Sequence, residues 1–176
     1  MDVEKAIRER RSIRSFKDKE ISDDLINKIL EAGRLAPSAH NVQPWRYLVI
    51  KDKETKEMLE KEKAFVQPFV HKSPVLIVCL ADLNGHNIKE NHFKEAEDNI
   101  IWTINDLGIS TAYMTLQAQE LGLSTCYVGL IKRERIRELL GLDKALVLPY
   151  VIALGYPNES PDPRPRKPLK EITLHK

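Results

Sequence analysis

Apolar positions along the chain fall into two rhythms. Val3, Ala6 and Ile7 recur at helical spacing and predict a short first helix running into "RERRSIRSF" at 8–16. Leu25, Ile26, Ile29 and Leu30 form a second helical stripe. Ser22 stands at its N-cap, Asp23 and Asp24 suit its positive end, and the helix stops at Gly33 or near Pro37. "APSAHNVQPW" at 36–45 breaks the rhythm and reads as a loop braced by Pro37 and Pro44. "RYLVI" at 46–50 then predicts a buried strand, residues 52–66 a charged helix, and "PVLIVCLA" at 74–81 a central strand.

Residues 84–93 are polar and irregular, an exposed excursion. From about Lys94 to Leu121 runs the longest helical pattern, apolar over more than one face, which calls for central burial or an interface. Gly122 ends it. "STCYVGL" at 124–130 predicts a third strand, "KRERIRELLG" at 132–141 an amphipathic helix, and "LVLPYVIALGYP" at 146–157 a fourth strand. The remaining tail is rich in proline, which forbids a helix at its start, and "EITL" at 171–174 is a candidate strand. There is no internal repeat. Residues 1–176 read as a single domain, with about 158–176 as a C-terminal arm.

Composition narrows the partners. The 28 basic and 26 acidic side chains nearly cancel, leaving +2, which gives little support to a nucleic-acid partner. No apolar run reaches the length of a membrane span, and the charged N-terminus lacks the apolar core of a signal peptide. A cytoplasmic protein with no membrane partner is the expectation. Cys79 and Cys126, each inside an apolar strand, read as buried reduced thiols.

Familiar catalytic patterns are missing. The 7 glycines stand singly, so there is neither a dinucleotide-binding nor a P-loop glycine cradle, and no nucleophile elbow or zinc-protease motif occurs. His86, His92, Asp82 and Glu95 match no established metal spacing and read as a polar surface loop; no metal is expected. Glu95, Glu97 and Asp98 read as charges compensating a helix start.

Three stretches remain. The cluster Arg10, Arg11, Ser12 and Arg14 offers guanidinium forks suited to phosphate oxygens, although alone it better suits a solvated helix end. The loop 36–45 offers uncharged hydroxyl and amide groups, and "PRPRK" at 163–167 carries Arg164 and Arg166 on a stiff segment. Arg8 reads as a solvated helix residue.

In this order, "RRSIRSF", "APSAHNVQPWRYLVI", "SPVLIVCL", "ELGLSTCYVG" and "RPRKPLKEI" closely resemble the FMN-dependent nitroreductase family over essentially the whole chain. The resemblance implies an α+β fold, a mixed, mostly antiparallel sheet flanked by helices, in an intimate, domain-swapped-like homodimer with two FMN sites at the interface, about one per subunit. It implies that Arg10, Arg11 and Ser12 hold the FMN phosphate and ribityl chain, with Arg164 and Arg166 on the same phosphate and Arg14 nearer the pyrimidine end. Pro37, Ser38 and Ala39 would pack on the isoalloxazine from the partner subunit, with Asn41 and Gln43 adding polar contacts. Gln67 would reach the ring. Tyr127, Val128 and Gly129 would pass along it, a backbone N–H near Val128 or Gly129 facing N5.

On that resemblance FMN carries the chemistry, NAD(P)H is the electron donor, and nitroaromatic, quinone or flavin-type small molecules are acceptors in a ping-pong sequence. No catalytic side chain is implied. Two departures stand out: the chain has no room for the helical insertion of longer members, and a lysine they place before the central strand has no counterpart. Residues 81–98 are the candidate replacement lid. An FMN-binding flavin carrier, or a flavin-destructase-like or dehalogenase-like fold-mate, stays open as the alternative.

Overall fold

A computed structural model describes residues 2–84 and 96–176. In chain order it contains α1 (Val3–Glu9), α2 (Asp23–Arg34), β1 (Trp45–Ile50), α3 (Lys53–Lys61), β2 (Val75–Asp82), α4 (Ala96–Glu120), β3 (Ser124–Val128), α5 (Arg133–Leu139), β4 (Leu146–Gly155) and α6 (Leu169–Ile172). Every helix and strand expected before the tail is present, with ends shifted by a few residues. The excursion and lid expected over 84–98, and the His86, His92 and Glu95 set, lie largely outside the described residues.

The unbroken apolar run of β2 is explained by burial on both faces. Val75, Ile77, Cys79 and Ala81 point to one core with Ile26 and Ile29 of α2 and Leu107, Met114 and Ala118 of α4. Leu76, Val78 and Leu80 point to the other, with Leu59 of α3 and Ile136 of α5. Each such side chain, fully buried, contributes about 1.5–3 kcal/mol. The result is a sheet of order β1-β2-β4-β3 between two helical layers.

All three strand pairings are antiparallel. The expectation of a mixed sheet is met only by an isolated parallel bridge from Ser12 to Thr125. Pro149 lies inside β4, where it cannot donate to the ladder. Its neighbours Tyr150 and Val147 pair with Cys79 and Ala81, so one extra residue bulges there and the proline is accommodated. Arg133 fills the bulge, donating from Nε to the Leu148 carbonyl at 3.0 Å and from Nη2 to that of Pro149 at 2.9 Å.

Asp52 caps α3 by accepting from the Thr55 N–H at 2.7 Å, whereas Ser22 occupies the N-cap of α2 without a side-chain bond to it. Cys79 and Cys126 are both buried and free, and burial pushes both thiols up. The strand expected at 171–174 does not form: Leu169–Ile172 make one helical turn and only the cap, Thr173, is extended. A strand needs an edge to pair with, and this arm is exposed along its whole length from Asn158 to Lys176. Among the described residues no helix is long and apolar enough to cross a membrane.

The approach of α2 to α4 depends on Gly33. A Cβ there would meet Met114 Cγ at 2.7 Å and Sδ at 2.9 Å, and Ser110 Oγ donates to the Gly33 carbonyl at 2.5 Å. Gly33→Ala should therefore lower stability by about 1–3 kcal/mol through overpacking, despite alanine's better helix propensity. Urea unfolding checks this; an unchanged or raised midpoint would contradict the close approach.

Candidate functional site

Residues 10–17 leave α1 without a helical ladder, and the sheet supplies one. The Ile13 N–H donates to the Thr125 carbonyl at 3.1 Å, so the open edge of β3 takes up the segment. Further along, the Lys17 N–H donates to the Tyr156 carbonyl, and the Asn158 N–H to that of Ser15, both at 2.9 Å. Glu159 Oε1 accepts the N–H groups of Arg14 at 2.5 Å and Ser15 at 3.2 Å. Ile13 is buried as the apolar anchor while Arg14 stays exposed.

This stitching brings the two ends of the chain together. An open cleft of about 830 Å³ is lined by Arg10, Arg11, Ser12 and Arg14, and by Arg164 and Arg166 of the arm, with Arg8 and Asp162 also on its walls. Pro161 and Pro163 have φ held near −65° and no N–H to give, so the arm crosses the cleft as extended chain. The six arginines so placed outweigh one carboxylate, and the cleft is built for an anion.

The arginines differ in their commitments. Arg8 lines the cleft yet is exposed and paired with Glu4 at 2.8 Å, which keeps the reading of a solvated helix residue. Arg11 Nη1 donates to the carbonyls of Arg8 at 2.6 Å and Arg10 at 2.9 Å, satisfying oxygens that α1 leaves open at its negative end. The thiol of Cys126 lies close enough for Arg14 and Arg10 to lower its pKa, but burial outweighs them and keeps it protonated.

The amide loop is a separate structure. Pro37, Ser38, Ala39, Asn41 and Gln43 do not line the arginine cleft. His40, Asn41 and Gln43 all take positive φ, at 51°, 57° and 54°, in the left-handed region that side chains disfavour. Ser38 Oγ accepts the Gln43 N–H at 2.9 Å, and the two carboxylate oxygens of Asp106 each lie 3.2 Å from the Ala39 nitrogen. Gln43 Nε2 donates to the Asn41 carbonyl at 3.2 Å, so one expected ligand partly satisfies another.

The last group sits at the β3 edge. An antiparallel bridge pairs Phe65 with Ile131, and the Val66 N–H donates to the Leu130 carbonyl at 3.3 Å, which brings the segment leading into Gln67 alongside the chain that leaves β3. The Thr125 carbonyl points outward to Ile13, so the two-residue alternation turns the backbone groups of Tyr127 the same way. The Tyr127 ring meets Tyr150 edge-on at 5.1 Å, and Val128 is buried. Arg133 Nη2 also donates to the Gly129 carbonyl at 3.3 Å, tying this turn to the β4 bulge.

Glu159, Asp106 and Arg133 were not singled out from the sequence. Each acts on backbone groups distant in the chain, and an isolated charge in a helix or a tail carries no local signal of that. What a sequence could show is weak: Asp106 interrupts an otherwise apolar or small stripe of Thr103, Leu107 and Ser110.

Comparison with known proteins follows the same regions. The profile of the Nitroreductase family matches residues 7–67 and 59–156, taking in the arginine segment, the amide loop and all four strands. A Thermus thermophilus protein named NADH dehydrogenase is 33% identical over 197 residues, covering 99% of this chain and 96% of its own. An FMN reductase (NAD(P)H) of Bacillus subtilis is 29% identical, covering 97% of this chain and 72% of its own. Among solved structures, the NADPH:FMN oxidoreductase of Vibrio harveyi complexed with NAD+ aligns with a TM-score of 0.87 at 25% identity, over 98% of this chain and 76% of that one. The matched residues take in the Arg10–Arg14 side of the cleft, the strained loop and the sheet edge, while the arm carrying Arg164 and Arg166 lies beyond them, and the chain belongs to the nitroreductase family.

Proposed function

We propose that this protein is an FMN-dependent oxidoreductase that takes electrons from NAD(P)H and passes them, in a ping-pong sequence, to a small nitroaromatic, quinone or flavin-type acceptor. The observation that carries the reading is the convergence of Arg10, Arg11, Ser12 and Arg14 with Arg164 and Arg166 in one cleft. The donor set fits a phosphate monoester, which carries about −1.5 to −2 charges and three strong acceptor oxygens. The names of the Bacillus subtilis and Vibrio harveyi relatives support the same cofactor and donor.

Each group then has a task. Arg10, Ser12, Arg164 and Arg166 hold the phosphate and ribityl chain; Arg11 adds positive charge while closing α1. Arg14, exposed and pinned through its backbone by Glu159, holds positive charge near the pyrimidine end of the ring. Gln67 and the outward backbone edge at Tyr127 and Gly129 offer polar groups to the ring's rim, with buried Val128 packing between them. When bound, FMN supplies the redox chemistry, exchanging hydride at N5. The chain's share is orientation and a fixed electrostatic field.

The amide loop lies apart from the cleft, which favours a site shared between two chains. On this reading Pro37, Ser38, Ala39, Asn41 and Gln43 reach the flavin held by the other subunit of a homodimer. Exposed apolar groups support such a partner: Ile101 is 64% and Tyr113 44% exposed on α4, and Leu35 is 62% exposed after α2. The arm, whose Leu174 is 97% exposed, would wrap over the second copy.

Purified protein should be yellow and release FMN on denaturation at about one per subunit; a colourless protein that takes up no added FMN overturns the reading. Anaerobic NADH or NADPH should bleach the colour and an acceptor restore it, whereas flavin that stays oxidised would mark a carrier. Arg10→Ala and Ser12→Ala should each weaken FMN binding by about tenfold or more in equilibrium titration, as expected for loss of a charge-assisted bond. Sedimentation should give a dimer, and a monomer retaining FMN tightly would reject the shared site.

A further inference from the structure

Asp106 is a buried carboxylate that no part of the redox chemistry uses. It lies on the stripe of α4 that includes Thr103, Leu107 and Ser110, all fully buried, and is itself 2% exposed. Burying a carboxylate is costly unless donors compensate it. Here both oxygens face the Ala39 N–H at 3.2 Å. One turn further along α4, Ser110 Oγ donates to the Gly33 carbonyl at 2.5 Å. Two polar groups four residues apart on one helix thus hold the last turn of α2 and the middle of the connection that follows it. Directly after the Asp106 contact come His40, Asn41 and Gln43, each at positive φ. Such a conformation persists only when its surroundings over-determine it.

We propose that Asp106 is a positioning residue for flavin: its carboxylate fixes the strained 38–43 loop in the shape that packs on the isoalloxazine ring. The proposal rests on the FMN reading above. It assigns Asp106 to the ring end of the cofactor, whereas the arginine cleft acts on the phosphate end.

The two ends separate experimentally by comparing FMN with riboflavin, which lacks the phosphate. Arg10→Ala should weaken FMN by a much larger factor than riboflavin, because only FMN carries the phosphate. Asp106→Ala should weaken both by the same factor, about tenfold or more, and Asp106→Asn by less. The flavin absorbance and circular-dichroism bands of the residual complex should shift toward those of free flavin, which a purely global loss of stability does not produce. In the flavin-free wild-type protein the Ala39 amide should be protected from hydrogen exchange, and that protection should fall in Asp106→Ala.

An Asp106→Ala protein with wild-type affinity for both flavins and unchanged spectra overturns the proposal. So does an unprotected Ala39 amide in the wild type, a result that needs no variant to fold. If the wild type binds no flavin while the Ala39 amide is protected and Asp106-dependent, the FMN reading fails and the loop clamp stands.

Discussion

The hydrogen bond from Ile13 to the Thr125 carbonyl, with its continuation from Lys17 to Tyr156, governs everything that follows from the arginine segment. Each bond contributes about 1 kcal/mol net, but together they fix where residues 10–17 lie. The partner strand for the first contact is β3, an edge. The partner for the second is the chain just beyond β4, which continues into the arm. One short segment therefore sets the Arg10 cluster and the Arg164 pair at the same place. Arginines so close repel one another in the free chain, and Glu4, Glu159 and Asp162 offset part of that repulsion. The remainder is a standing preference for an anion.

The second constraint is α4. Its buried stripe packs under the sheet through Leu107 and Met114 and carries polar groups that reach backbone outside the helix. Ser110 and Asp106 hold the α2–β1 connection; Thr111 bonds Tyr150 at 2.8 Å and Ser110 bonds Tyr47 at 2.5 Å across to the sheet. Burial raises the pKa of both tyrosine hydroxyls, so they remain neutral partners in this layer. A helix that packs on one side and exposes Ile101 and Tyr113 on the other links the core to an apolar stretch of surface.

Much of the secondary structure was legible in the sequence because its signals are local. Asp23 and Asp24 mark a helix start wherever the helix sits, and the unbroken apolar run from Val75 to Ala81 is a strand that must be covered on both sides. The arginine cluster was visible as chemistry, but alone it better suited a solvated helix end. Glu159 and Asp106 were not legible as site residues, because their partners are backbone groups brought near by the fold. The helical turn at Leu169–Ile172 ran against the strand expectation, since a β-rich tetrapeptide makes a strand only beside an available edge.

Taken by itself, then, the sequence determined most helix and strand segments, that β2 is central, and that arginines cluster near both ends of the chain. Period, caps and proline positions carry that information within a few residues. Only the tertiary structure decided that those two ends meet and that the amide loop stands apart from them. It also decided that buried Asp106 holds that loop in a strained shape. These outcomes depend on which edge strand accepts residues 12–17 and on what α4 packs against, and pairing between distant segments has no local code.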